Sequence, residues 1–484
     1  MSRVDSFPTG AIREPSEGLA RCIERPARAS LYDAAMTAPL ARFVACALIP
    51  CAGAVVLPQD AAPPGRALDP RIDASRLTRL GPPDERATAG QVRRPVLAPV
   101  LRIATRAEAV PLDDATFAKA QEAIRRGLAH LARTQTTRGT WFDAVEVAPT
   151  DMEPRKRASS VAVTALALKA FAQAGAIGAG DARDRARVAV LAAVGDANTR
   201  AAVTEGGIGN YAMSAVASGL SAAGDADAQA GAAIAVRWLQ EGQWDDAEGV
   251  TPDMDWYGGA GYGNGKRPDL SNTQLMLDAL HDAGVSPDDP AVARALAFVA
   301  RTQNRKASNP ASWAQDGSGD GGFVYSPANG GESMASEAAG EGRHGEKLAT
   351  RSLRSYGSMT YAGFKSLLYA GLSPDDPRVR DALGWIALHF TFDENPGLGQ
   401  QGYFYYLHAM SRALFVSALT EVTDAKGDAH DWRRELVEAL VARQRTDGSW
   451  ANEVARWEES NADLATIYAV LALEEAVKPR PTQE

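Results

Sequence analysis

Beyond residue 51 this chain contains no cysteine; its three stand at Cys22, Cys46 and Cys51 of 484 residues. From there on, a disulfide, a thiolate zinc site and a Cys–His nucleophile are excluded. Histidine is scarce as well. The six histidines form no H-E-x-x-H and no close ligand pair, so no metal is expected, and no other cofactor. A G-x-S-x-G elbow and a Walker loop are both missing. Basic charge is in short supply: the net charge is −9 and no Lys/Arg cluster stands out, which argues against a nucleic acid partner.

Long apolar runs are rare too, with one exception, "FVACALIPCAGAVVL", Phe43 to Leu57, just after Arg42. Its length suits the h-region of a secretory signal and is short for a membrane span. "MTAPLAR" from Met36 supplies a short basic start. On this reading residues 1–35 are an over-called extension and 36–60 a signal peptide-like segment. The mature protein is then exported, periplasmic or extracellular. A membrane-anchored form is the alternative, so membrane association is compatible with the sequence but not required. "LIPC" makes a poor lipobox, with Pro50 directly before the cysteine. Residues 61–112 are rich in Pro and Ala without periodicity and read as a linker.

What the chain does have is repetition. With 45% hydrophobic residues it can bury a large core, and from 113 to 478 its apolar pattern recurs. "AIRRGLAHLARTQTTRGTW" carries Ile124, Leu128, Leu131 and Gln135 on one stripe; "AVARALAFVARTQ" and "LVEALVARQRTDGSW" repeat it. That spacing predicts amphipathic helices. Each is followed by a helix apolar all round, such as "VAVTALALKAFAQAG", "TQLMLDALHDAG" and "MTYAGFKSLLYAG". Gly175, Gly284 and Gly371 close these runs, and two units restart with "SPDDP", supplying Asp289 and Asp376 as caps. About six helix pairs result. The uniform helices are expected to form an inner ring and the striped ones to wrap it, an all-α architecture.

Four turns pair glutamine with tryptophan: Gln135 with Trp141, Gln240 with Trp244, Gln303 with Trp313, and Gln444 with Trp450. These resemble the QW motifs of the squalene-hopene cyclase and prenyltransferase β-subunit superfamily. The resemblance covers roughly residues 113–478 and implies an α/α toroid (an α6/α6 barrel) with a central cavity. It also implies that the Gln and Trp are structural. The prenyltransferase branch uses zinc held by Asp, Cys and His, which a body without cysteine cannot assemble. The cyclase branch carries D-x-D-D-T at the start of an inner helix, where the central Asp protonates an alkene. The same register here reads Asp269, Leu270, Ser271, Asn272, Thr273. An alkene is so weak a base that it needs an acid strengthened by its neighbours; a hydroxyl and an amide do not serve.

A cyclase frame without its acid implies a toroid whose cavity binds an isoprenoid, a lipid or a peptide. Two alternatives stand beside it. One is a terpene or triterpene cyclase, an intramolecular transferase or lyase, taking its proton from another carboxylate; Asp253, Asp255 and Asp463 are its candidates. The other is a polysaccharide lyase or hydrolase built on an α/α toroid. Whether the chain is an enzyme stays open at this point. Each of the three carboxylates also suits a helix cap or a loop charge, and Asp269 suits the cap of the helix after it. Expected cavity residues are Asp269, Ser271, Asn272, Trp256, Tyr257, Tyr356, Tyr361 and Tyr403, whose rings could face a cation, stack on a sugar or simply pack. Residues 304–355 form a long Gly/Ser-rich insertion, mobile over 328–350.

Overall fold

The computed structural model describes residues 68–80, 112–142, 153–335 and 353–478, apart from Arg71 and Asn264. The segments 1–35 and 36–60 lie outside the described residues. Six outer helices are α1 (Asp114–Thr134), α3 (Asp181–Gly195), α6 (Ala226–Glu241), α8 (Pro290–Thr302), α11 (Pro377–His389) and α13 (Trp432–Arg443). Six inner helices are α2 (Pro154–Gln173), α5 (Gly209–Ala223), α7 (Leu270–Asp282), α10 (Gly357–Tyr369), α12 (Tyr403–Val416) and α14 (Ala462–Val477). Two short helices, α4 (Ala197–Thr204) and α9 (Ser312–Gln315), four 3-10 turns and a two-stranded hairpin complete the described elements.

The inner helices close on themselves. Helix α2 packs on α5, α5 on α7, α7 on α10, α10 on α12, α12 on α14, and α14 returns to α2 and to α1. An α/α toroid is therefore the fold. Local chemistry starts and stops the helices where the repeat requires. Asp113, Asp225, Asp289, Asp376 and Asp431 cap α1, α6, α8, α11 and α13, with Pro290 and Pro377 in the first turn of α8 and α11. Five inner helices end beside a left-handed residue: Gly175, Gly224, Gly284, Gly371 and Ala418.

The four turns expected to pair Gln with Trp share one hydrogen-bond scheme, and it differs in part from the expected pairing. The Gln135 amide donates to Gly139 O and, in the next outer helix, to Ala182 O (3.0 and 2.8 Å). Gln444 does the same to Gly448 and Ala123, both at 2.9 Å. In the other two turns the equivalents are Gln243, to Gly258 and Ala291, and Gln303, to Gly321 and Arg378. Two residues after each glycine, a backbone N–H donates to a threonine of the inner helix. The donors are Trp141, Ala260, Phe323 and Trp450; the acceptors are Thr164, Thr273, Thr360 and Thr466. So Gln240 and Trp313 do not hold these positions. Gln240 instead lies 3.4 Å from Asp289, and Trp244 packs on Trp256. Counting forward from Gln to the next Trp fails in these two turns because loops are inserted between the Gln and its glycine. The glycine itself is required: at Gly258 φ is +80° and a Cβ would fall 1.8 Å from Arg294 O.

Part of the expected linker is an ordered strap. Asp69 N–H bonds Glu248 O, Leu80 N–H bonds Asp253 O, and Ile72 is buried with Trp244, Val250, Met254 and Trp256. The insertion is ordered over 304–335, held by the bonds of Tyr325, Ser326 and Glu332. The described residues therefore include 328–335 of the stretch expected to be mobile.

Candidate functional site

The inner-helix N-termini gather at one end of the ring, and Asp269 sits there. It caps α7: one carboxylate oxygen accepts the Asn272 N–H (2.9 Å) and the other the Asn272 side-chain amide (2.8 Å). Asp269 is 1% exposed. Burial drives its pKa up to about 7, against the pull of the Asn272 bonds and the Tyr325 hydroxyl. Asn210 of α5 locks the turn by donating to the Asn272 backbone and side-chain oxygens (2.9 and 3.2 Å). Ser271 hydrogen-bonds the Tyr211 hydroxyl. Tyr211 stacks on Tyr262 at 5.5 Å, and Tyr325 donates to the Tyr262 hydroxyl at 3.2 Å. A buried carboxyl near neutral pKa beneath a layer of tyrosines can hold or deliver a proton to a heteroatom. It is far too weak to protonate an alkene.

Below this mouth the inner helices are not uniformly apolar, contrary to expectation. Six residues before each left-handed terminus (169 before 175, 218 before 224, 278 before 284, 365 before 371, 412 before 418) stand Lys169, Ser218, Asp278, Lys365 and Arg412. A common register puts them in one layer. Lys365 bonds Asp278 and Lys169 bonds Asp282, each at 2.6 Å. Arg412 reaches Asp282 (2.6 Å), Glu475 (3.1 Å) and the Tyr369 hydroxyl (2.8 Å). Burial opposes the charge on Asp282 and Glu475, but the facing cations outweigh it. Asp282 is held well below the usual carboxylate range, and Glu475 at about 2. Glu474 goes the other way: burial raises its pKa well above the ordinary value. This layer is a charged floor. One polar residue six places before each of four terminal glycines is its sequence signal, and Arg412 stands at the same interval before Ala418.

One helical turn nearer the mouth, the same register holds Ala165, Ser214, Gln274, Tyr361 and His408, with Tyr468 on α14. His408 stacks on Tyr468 at 5.7 Å, Tyr405 meets Tyr468 edge-on at 5.9 Å, and Gln274 donates to the Tyr405 hydroxyl at 2.9 Å. Burial lowers the His408 pKa to about 3, so its imidazole is neutral. Tyr211, Tyr405, His408 and Tyr468 are only half-buried although they stand on inner helices, so a hollow remains beside them.

The remaining sequence candidates, Tyr356 apart, fall elsewhere. Asp255 is fully buried and ties the strap to the insertion, accepting from Thr78 N–H (3.0 Å) and Asn329 N–H (3.1 Å); burial raises its pKa to about 6. Asp253 pairs with Arg79 on the strap. Asp463 accepts from Thr134 (2.7 Å) and faces His130 (3.1 Å) at the α14–α1 contact. Trp256 is buried under the strap with Tyr257 against it. Tyr403 turns outward, donating to Phe392 O at 2.6 Å under the Arg443 guanidinium. Tyr361 is buried edge-on to Tyr406 at 5.7 Å. Tyr356 is buried at the N-terminus of α10, close enough to Asp269 for the two to interact electrostatically. Glu459, which no sequence motif singles out, caps α12 by accepting the Phe404 and Tyr405 N–H groups.

No family profile and no curated protein matches this chain. Solved structures resemble it at low identity. A glycosidase in complex with glucose is 15% identical over 76% of this chain and 100% of its own, with a TM-score of 0.39. A protein from Actinoplanes is 14% identical over 74% and 100%, at 0.33. The type II terpene cyclase MstE from Scytonema, bound to geranylgeranyl dihydroxybenzoate, is 14% identical over 75% and 99%, at 0.27. Superpositions this partial assign no activity to the chain.

Proposed function

We propose that the protein is a non-cyclising toroid that binds a ligand in its axial hollow, entered from the end where Asp269 lies. One observation carries this reading. The position of the cyclases' proton donor is Ser271, its hydroxyl engaged by Tyr211, and both oxygens of the retained Asp269 are occupied by Asn272. The charged floor supports it, because an apolar polyprenyl chain seated there would face Lys365, Arg412 and their carboxylates without solvating them. A second reading has its own support: the near-neutral pKa of Asp269 suits proton transfer to an oxygen or nitrogen atom. Export belongs to the proposal as well, and N-terminal sequencing of the secreted protein tests it. No described helix is long and apolar enough to cross a membrane.

The full chain, screened by thermal shift against squalene, a shorter polyprenol, neutral oligosaccharides and peptides, is expected to be stabilised by one class. Ser271→Trp, which blocks the mouth, is expected to abolish that shift. Incubation with squalene is expected to give no cyclic product. A cyclic product that disappears in Asp269→Asn would overturn the proposal.

A further inference from the structure

Among the described residues, a proton on Asp269 has one bonded group to pass to. The Asn272 backbone N–H and side-chain amide only donate to the carboxyl (2.9 and 2.8 Å). The Tyr325 hydroxyl, its third partner, can also accept. From Tyr325 the contacts continue. Its hydroxyl reaches the Tyr262 hydroxyl at 3.2 Å, and Tyr262 is within hydrogen-bonding reach of Tyr211, on whose ring it stacks. Tyr211 bonds Ser271, and Ser271 is within reach of the Tyr405 hydroxyl, which also accepts the Gln274 amide at 2.9 Å. Five hydroxyls in a row, the last on Tyr405, thus lead away from the carboxyl.

The row runs from enclosure to open space. Asp269, Tyr325 and Ser271 are buried, whereas Tyr262, Tyr211 and Tyr405 are half-buried. Helix α10 stands between α7 and α12 in the ring, so Tyr405 of α12 meets Ser271 and Gln274 of α7 across the interior. Burial raises the pKa of Tyr211, Tyr262, Tyr325 and Tyr405, so no phenolate interrupts the row. The other charged or titratable groups nearby are Arg267, paired with Glu332, Tyr356, and Arg155 beside Tyr262. Each hydroxyl has a single proton, so the row points one way at a time. With Asp269 ionised, every hydroxyl donates back toward it. With Asp269 protonated the bonds reverse, and Tyr405, accepting from Ser271 and Gln274, turns its own proton to the hollow.

We infer that this row is a proton relay between Asp269 and the hollow, with Tyr405 as the group that protonates an oxygen or nitrogen atom of a neutral ligand. Asp269 passes its proton to Tyr325, each hydroxyl hands its own to the next, and Tyr405 releases one to the ligand's lone pair. Asp269 is left as the carboxylate and the ligand carries the added proton; the same row, run in reverse, restores the acid. This rests on the reading that Asp269 transfers a proton to a heteroatom, and it supplies the route and the residue at its end.

Time-resolved infrared spectroscopy of the full chain after a laser-induced pH jump tests the inference. The carboxyl C=O band that is missing from Asp269→Asn reports proton uptake by Asp269. Tyr262→Phe is expected to slow that uptake roughly a hundredfold, the low end of what a positioned proton-transfer group contributes, with the pH midpoint of the band left in place. Tyr211→Phe cuts the next link and should do the same, and it stands in where Tyr262→Phe lacks native circular dichroism. Tyr356→Phe, beside Asp269 but outside the row, should take up the proton at the wild-type rate. A wild-type rate in the two link variants, or equal slowing in Tyr356→Phe, overturns the relay and leaves Asp269 an acid by another path. A carboxyl band that does not titrate between about pH 5 and 9 overturns the acid reading as well.

Discussion

The charged floor makes a quantitative claim about stability that Lys365→Met tests. Lys365 Nζ lies 2.6 Å from Asp278 Oδ2, with the two side chains 2% and 11% exposed. Burial pushes the ammonium's pKa down and the facing carboxylate pushes back, so each charge depends on the other. Methionine keeps most of the lysine volume and removes only the charge and donors. It leaves Asp278 buried with neither oxygen paired, since Oδ1 already has no partner. Breaking a buried pair this way costs about 3–5 kcal/mol. Unfolding roughly 360 residues releases about 0.75 kcal/mol/K of entropy, so the melting temperature should fall by about 4–7 °C. Replacing both partners, Lys365→Met with Asp278→Leu, should recover most of the loss, because two apolar groups strand nothing. Scanning calorimetry of wild type, both single variants and the double variant gives the coupling. A single-variant shift below about 1 °C, or a double variant worse than the sum of the singles, would refute the idea that these charges are held by one another.

Three further outcomes are expected. Asp269 has a folded pKa of about 7 against about 3.9 unfolded, so the stability it contributes is full below about pH 4 and lost as pH rises through 7. Denaturant titrations should therefore show Asp269→Asn, which keeps the cap, gaining on wild type by up to about 4 kcal/mol between pH 4 and 8. His408, with its folded pKa near 3, works in the opposite sense, losing stability as pH falls below about 6.5; the comparison between variants removes it. Gln243→Leu leaves Gly258 O, Ala291 O and Arg294 Nε without their partner and should cost about 2–4 kcal/mol, whereas Gln240→Leu should cost under about 1. Asp255→Ala should loosen both segments it joins, read as faster amide exchange at Thr78 and Asn329 with the inner helices unchanged.

Much of the ring was legible because each repeat signals its own boundaries. Asp289 and Asp376 announce helix starts, and Gly175, Gly284 and Gly371 announce ends, by chemistry confined to a few neighbouring residues. Amphipathic stripes sorted outer from inner. What escaped was whatever depends on partners distant in the chain. Asp255 reads as a loop acid until Thr78 and Asn329 converge on it from 177 and 74 residues away. Gln243 hides behind Gln240 because the inserted turn stretches the distance to its glycine. The floor was overlooked for a different reason. A lone Lys169 or Asp278 in a greasy helix looks like an exception, and only alignment on the terminal glycines turns four of them into a pattern that Arg412, six places before Ala418, completes. Asp269 was read as a cap, which it is. Its elevated pKa comes from complete enclosure, which no local stretch of residues encodes.

Closure of the inner layer, with α14 laid against α2, also governs how such a protein can change over time. An open stack of repeats grows by adding a unit at either end. A circle of six has no free end, and a seventh pair would alter the curvature of every contact at once. Room for change lies instead in the connections between glutamine and glycine, which are long at 243–258 and 303–321 and short at 135–139 and 444–448. Those enlarged turns precede α7 and α10 and sit at the rim beside Asp269, so lengthening them reshapes the entrance and spares the scaffold.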